Sequence, residues 1–167
     1  MAAPAQDDGA TDVYLVFKLL HIGAVIVFLG NIATGLFWHA WAARTRDPKL
    51  LAHAMGGIIR SDRLFTVPGV MVIIVTGITA AIEVNLPILR TGWILWTLVL
   101  FSISGLAFSF RVAPLQRQLH SLATNHAGGE FLYERYRSIA FRWEMWRGLA
   151  LATALAGLAL MVLKPSL

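Results

Sequence analysis

The chain contains no cysteine, which removes disulfides, thiolate metal sites and cysteine nucleophiles in one step. Charge is scarce as well: 14% of the 167 residues are Asp, Glu, Lys or Arg, against roughly 25% in a soluble domain. There is no phosphate-binding P-loop, no Gly-x-Gly-x-x-Gly and no serine-centred nucleophile elbow, so soluble nucleotide-binding and hydrolase classes lack support. What is abundant is apolar, with 57% hydrophobic residues and a mean hydropathy of +0.68. Long uncharged runs of this kind belong to helices whose solvent is lipid.

The expected fold is all-α, a four-helix transmembrane bundle forming a single membrane domain over 12–167 after a flexible segment at 1–11. Val13 to Ala43 is charged only at Lys18 and is long enough to span ~30 Å of hydrocarbon at 1.5 Å per residue. The residues before it are small and acidic without a basic n-region, so this run is expected to remain as a signal anchor. Further spans are expected at 67–84, 92–112 and 146–163. Between the first two, Leu50, Leu51, Ala54 and Ile58 recur at helical spacing, which predicts a surface helix at about 49–60. Pro114 is expected to kink the extension of the third helix. Asn125-His126-Ala127-Gly128-Gly129 reads as a helix terminator and turn. Beyond it, Glu130 to Trp146 is charged and aromatic and feeds into the fourth span, so helices three and four are expected to extend into the cytoplasm.

Basic residues set the direction. Arg44, Arg46, Lys49, Arg60 and Arg63 lie in one connecting stretch, and Arg111, Arg117, Arg135, Arg137, Arg142 and Arg147 in another, against Lys18, Arg90 and Lys164 elsewhere. That asymmetry puts both basic stretches in the cytoplasm and both chain termini outside it, in a multi-pass protein of a bacterial inner membrane. The net charge of +5 therefore reports topology, and nucleic acid is not an expected partner. The expected partners are the lipid bilayer and either a second copy of the chain or another membrane protein.

Lys18 and His21 stand three residues apart inside the first span, where ionisable groups are costly and mark functional sites by default. The structural alternative is that Lys18 snorkels to the surface and His21 hydrogen-bonds a neighbouring helix. His39 follows His21 by five whole turns, ~27 Å along the same stripe, too far for both to bind one metal. It reads either as a separate haem ligand or as an interfacial residue among Trp38, Trp41 and Arg44. His53, His120 and His126 lack zinc spacing and read as solvated. Asp62 and Arg63 with Arg142, Glu144 and Arg147 form a prospective ion-pair cluster, and Glu83 is a prospective partner of Lys18 or Arg90. Gly148, Ala152 and Ala156 make a small-xxx-small stripe suited to close helix packing, and Asn31 is a buried polar group in need of a partner.

Lys18-Leu19-Leu20-His21-Ile22-Gly23, Gly30-Asn31, Asp62-Arg63-Leu64-Phe65-Thr66-Val67-Pro68-Gly69, Thr76-Gly77 and Arg142-Trp143 leading to Met161-Val162-Leu163-Lys164-Pro165 together resemble a family of predicted bacterial integral membrane proteins of unknown function. The resemblance runs from about Val13 to Pro165. It extends to a wider group with a Lys-x-Leu-His first helix, which includes copper-resistance D proteins and HemJ-type protoporphyrinogen oxidases. In the latter the motif histidine is associated with haem b and the lysine with function. The resemblance thus implies cofactor binding by His21 and Lys18, with His39 in a loosely similar context, and haem iron on His21. In the third span, relatives with redox roles place a histidine or lysine after Gly-Trp, where this chain has Ile94, Leu95 and Trp96.

Three functions follow as expectations. One is b-type haem binding or membrane redox chemistry through the Lys-x-x-His pair. The second is a non-enzymatic accessory or scaffold role, and the third is copper or small-ion handling.

Overall fold

The computed structural model describes residues 8–125 and 131–166. It contains helices and their connections, with no strand among the described residues. Helix α1 (Asp8–Ala43) is followed by α2 (Pro48–Ser61), α3 (Val67–Glu83), α4 (Gly92–Ala107), α5 (Ala113–Thr124) and α6 (Tyr133–Leu163). Two π-helical turns, Asp62–Thr66 and Phe108–Val112, join α2 to α3 and α4 to α5 without a break. The result is four long rods, each long and apolar enough to cross a membrane. This is a multi-pass integral membrane protein in contact with lipid.

Both π turns sit immediately before a proline. Val67 donates its backbone N–H to Asp62 O, and Ala113 donates to Phe108 O, each five residues back. Pro68 and Pro114 follow directly. A proline has no N–H to give and its ring crowds the carbonyl four residues earlier, and the wider π turn makes room for that ring. The kink expected at Pro114 is thus a π turn just ahead of it, and Pro68 has the same device on the neighbouring rod.

The other punctuation is equally local. The Asp47 side chain caps the Lys49 N–H at 2.8 Å with Pro48 at the first helical position, a favoured start. Asn85 (φ 50°) and Lys164 (φ 45°) end α3 and α6 in the left-handed conformation, with Pro87 and Pro165 soon after. The expected turn starts at Asn125, and its remainder, including His126, lies outside the described residues.

α1 packs antiparallel on α3, α4 on α6 and α2 on α5, while α1 also touches α2 and α6. Among the described residues no Cα atom of α3 comes within 8 Å of one in α4, so one half of the bundle is two helix pairs joined through α1, which meets α6 and, by Phe28 on Phe101, α4. The larger core lies in the other half, the basic end. There Leu51, Met55 and Ile58 of α2 meet Leu115 and Leu119 of α5, and Tyr136, Ala140 and Trp143 of α6. Toward the far end only Phe28, Ile32, Ile73 and Ala154 form a compact cluster, and apolar side chains such as Leu19, Ile26 and Met71 face outward. Outward apolar groups are stable there because lipid is as apolar as the side chains.

Two expectations meet a different arrangement. The segment at 49–60 is helical, but it continues directly into the second rod, and its apolar face is covered by α5 instead of lipid. Gly148, Ala152 and Ala156 do not form the packing stripe of α6: Ala152 and Ala156 are exposed, and nothing lies within 4 Å of where a Gly148 side chain would start. The buried stripe, one position away on the wheel, is Arg147, Ala150, Ala154 and Gly157. A guanidinium in the interior displaces the pattern that small residues alone suggest.

Candidate functional site

Three polar constellations lie along α1, one at each level where it meets a new neighbour. At the first, His21 is half-buried against α3. Its Nδ1 lies 3.0 Å from Ile73 O and 3.3 Å from Thr76 Oγ1, while the Thr76 hydroxyl donates to Val72 O at 2.6 Å. A carbonyl only accepts, so Nδ1 carries a proton, and in the neutral ring Nε2 keeps its lone pair. The ring rests over Gly77, where a methyl group would stand 2.9 Å from Cε1 and 3.2 Å from Nδ1. Glycine at this position is what admits the imidazole. Lys18 takes no part: it is exposed, with its ammonium 5.6 Å from the centre of the Tyr14 ring. The two residues three apart face different surroundings, one lipid-facing and one packed on α3.

At the second level, Asp62 gathers all four rods. Its Oδ1 accepts from Asn31 Nδ2 (2.9 Å), Thr66 Oγ1 (3.0 Å) and Arg147 Nη2 (3.1 Å), and its Oδ2 accepts from Gln116 Nε2 (2.6 Å) and Arg147 Nη1 (2.9 Å). Arg147 also donates from Nε to Ile32 O at 3.2 Å and from Nη2 to Asn31 O at 3.3 Å. Five donors fill a carboxylate's acceptor capacity. The pair is fully desolvated, with side-chain exposures of 0% and 5%. A buried charge pair is tolerated when it is hydrogen-bonded throughout, and this one is. Its saturation makes it a structural knot with no acceptor left to offer a substrate.

The third level is His39, which is completely buried instead of lying at an interface among Trp38 and Trp41. Nε2 lies 3.1 Å from Tyr136 Oη, and the ring centre is 4.8 Å from that of Trp143. Nδ1 approaches Glu144 Oε1 to 3.1 Å but off the direction a ring N–H would take, so the contact is not an aligned hydrogen bond. Glu144 in turn accepts from Arg137 Nη1 at 2.9 and 3.1 Å. Beside this cluster an open groove of about 610 Å³ is lined by Leu36, Ala40, Ala43, Arg44, Arg46, Tyr133, Arg137 and Glu144.

The remaining polar residues are dispersed. His53 is exposed and His120 packs over Gly56, 3.2 Å from where a side chain would begin. Arg63, Arg142 and Glu83 are exposed, and among the described residues Glu83 pairs with neither Lys18 nor Arg90. Small-ion handling would need a polar path through the spans; Asn31 and Thr76 are engaged as above, and Thr34 and Ser102 are exposed. Among the described residues no three His, Cys, Asp or Glu side chains come together to hold a metal ion.

Residues 15–165 match the model of a family described as predicted integral membrane protein, DUF2269. The chain belongs to that family. No curated protein and no solved structure matches it. The match covers every constellation above, from His21 through Asp62 to Arg147. In this DUF2269 protein Gln116, Tyr136 and Trp143 complete the sites; from sequence, Trp143 figures only within a motif and Gln116 and Tyr136 have no assigned role. A signal was present, since Gln116 falls among Val112, Leu115 and Leu119, and Tyr136, Trp143 and Arg147 recur on one face of α6.

Proposed function

We propose that this DUF2269 protein is a non-enzymatic accessory or scaffold protein of a bacterial inner membrane, with both chain ends outside and the basic end of the bundle in the cytoplasm. The observation that carries the reading is Asp62. The most deeply buried carboxylate among the described residues accepts five hydrogen bonds from α1, α5, α6 and its own π turn, and is used entirely in fixing how the rods meet. Glu144 is likewise held by Arg137, beside the buried His39. Charge placed this way favours a rigid shape that other components bind over a reaction centre.

A second reading has its own support. In the neutral ring His21 presents the lone pair of Nε2, with Nδ1–H anchored on a backbone carbonyl, the way metal-bound imidazoles are oriented, and the resemblance to Lys-x-Leu-His proteins points to b-type haem. The fit is one-sided. The second, third and fourth spans contain no histidine, Met71 faces outward and Lys18 is turned away, so His21 alone would hold the iron. Bound there, haem supplies one-electron chemistry. The chain's own contribution is to hold the imidazole tautomer through Ile73 O and to seat the ring on Gly77.

One measurement separates the two. Detergent-purified protein, as isolated and after haem addition, is scanned before and after reduction, in parallel with His21→Ala. The scaffold reading expects no Soret band and a change in melting temperature only. A Soret band in the parent chain that disappears in His21→Ala overturns it and establishes the haem reading.

A further inference from the structure

The groove beside His39 has a composition that neither reading uses. Arg44 and Arg46 line one wall and form no ion pair among the described residues. Their guanidinium carbons lie 5.8 Å and 5.1 Å from the ring centres of Trp41 and Tyr133, contacts that orient the planar groups while leaving their N–H edges unused. Arg46 is held in a left-handed conformation (φ 53°), a strained state for a residue with a side chain. That strain is confined to the turn that brings Arg46 over Tyr133.

Two carboxylates stand near this wall: Glu144, which lines the groove, pairs with Arg137 in the same lining, and Asp47 caps the Lys49 N–H. The end of α1 contributes carbonyl oxygens, which disfavour an anion, but Ala42 O accepts from Thr45 and Ala43 O from Tyr133 Oη at 3.0 Å. Among the described residues, Arg44 and Arg46 are thus the two cations of the groove without an ion-pair partner. Its floor is apolar, formed by Leu36, Ala40 and Ala43, and on the adjoining turns Phe37, Trp38 and Trp41 are exposed. Outward aromatics at the end of a span mark the boundary between hydrocarbon and headgroups.

We infer that this groove seats an acidic glycerophospholipid, with Arg44 and Arg46 on its phosphate and Leu36 and Ala40 beneath its first acyl carbons. Guanidinium groups suit a phosphate because their paired N–H edges match two of its oxygens. A free anion would be served by the arginines alone, whereas the apolar floor at membrane depth serves a lipid. The inference is independent of both functional readings.

The test uses the full chain in detergent, with phosphatidylglycerol as the acidic probe, phosphatidylcholine as its zwitterionic counterpart, and inorganic phosphate as the headgroup without chains. Bound lipid is counted by native mass spectrometry and melting is followed with each additive. Phosphatidylglycerol adducts and a higher melting temperature with that lipid alone are the expected result. Arg44→Gln/Arg46→Gln should lower phosphatidylglycerol affinity roughly tenfold or more, while lipid-free melting falls only slightly through loss of the two exposed ring contacts. Lys49→Gln/Arg60→Gln removes the same charge outside the groove and should keep parental affinity. Ala40→Trp, which fills the floor with the arginines intact, should also weaken binding. Equal loss in both double variants, parental affinity in Arg44→Gln/Arg46→Gln, equal stabilisation by phosphatidylcholine, or the same stabilisation by phosphate alone each overturn the inference.

Discussion

Arg147 Nη1 lies 2.9 Å from Asp62 Oδ2 across 85 residues of sequence, and the Arg147 guanidinium fits between the rods only because position 35 of α1 is glycine. A methyl group there would stand 2.9 Å from Arg147 Cζ and 3.1 Å from Nε. The ion pair, the glycine and the π turn that carries Asp62 are one mechanical unit.

Breaking that unit from either side strands a buried charge. Asp62→Ala and Arg147→Met should each lower stability by about 3–5 kcal/mol, with the double variant costing clearly less than the sum because the second change removes the stranded partner. Denaturant unfolding in detergent micelles reads all three. Additive losses would show that the two side chains contribute separately.

Gly35→Ala should cost about 1–3 kcal/mol, the range for forcing a methylene into a packed interior, since Arg147 is held by Ile32 O, Asn31 O and Asp62 and has nowhere to retreat. Gly30→Ala, one turn and a half earlier with nothing within 4 Å, should be neutral or gain up to about 1 kcal/mol from helix propensity. The same unfolding assay compares them, and equal effects would remove the special role of position 35.

Gly77→Ala should push the His21 ring off α3 and break its Nδ1 hydrogen bond to Ile73 O. Histidine-selective nitrogen NMR should report a protonated Nδ1 for His21 in the parent chain and a changed tautomer balance in the variant. An unaltered spectrum would mean that the ring does not rest on Gly77.

Arg137→Gln offers the opposite extreme from Asp62. Arg137 is 44% exposed in its pair with Glu144, so its loss should cost no more than about 1 kcal/mol and the difference should shrink in high salt. The Asp62→Ala penalty should be indifferent to salt. A salt-sensitive Asp62 penalty would mean that water reaches the knot.

Composition and run length made the four rods legible, because an apolar stretch of about 20 residues has few stable homes besides a bilayer. The Asn31 side chain announced its need for a partner, and Asp62 and Arg147 stood in one prospective cluster. Lys18 and His21 were visible as ionisable residues in a span, but spacing alone could not say that one faces lipid and the other α3. Helical spacing gives relative angle only, and three residues leave 60° between side chains. For the same reason spacing left His39 open between a haem ligand and an interfacial residue, and could not show that it is buried while its neighbours Trp38 and Trp41 face out.

Sequence by itself determined the solvent of this protein, the number of rods, and the local signals that start and stop them, because those depend on hydropathy and on backbone chemistry a few residues wide. Only the tertiary structure decided which charges are interior. It turned α6 so that Arg147 and not the Gly148–Ala152–Ala156 stripe points inward, drew the segment at 49–60 against α5, and set Arg44 and Arg46 beside an apolar floor. Those outcomes depend on the rotation of each rod about its axis. Contacts between residues tens of positions apart fix that rotation, and local sequence pattern carries no record of them.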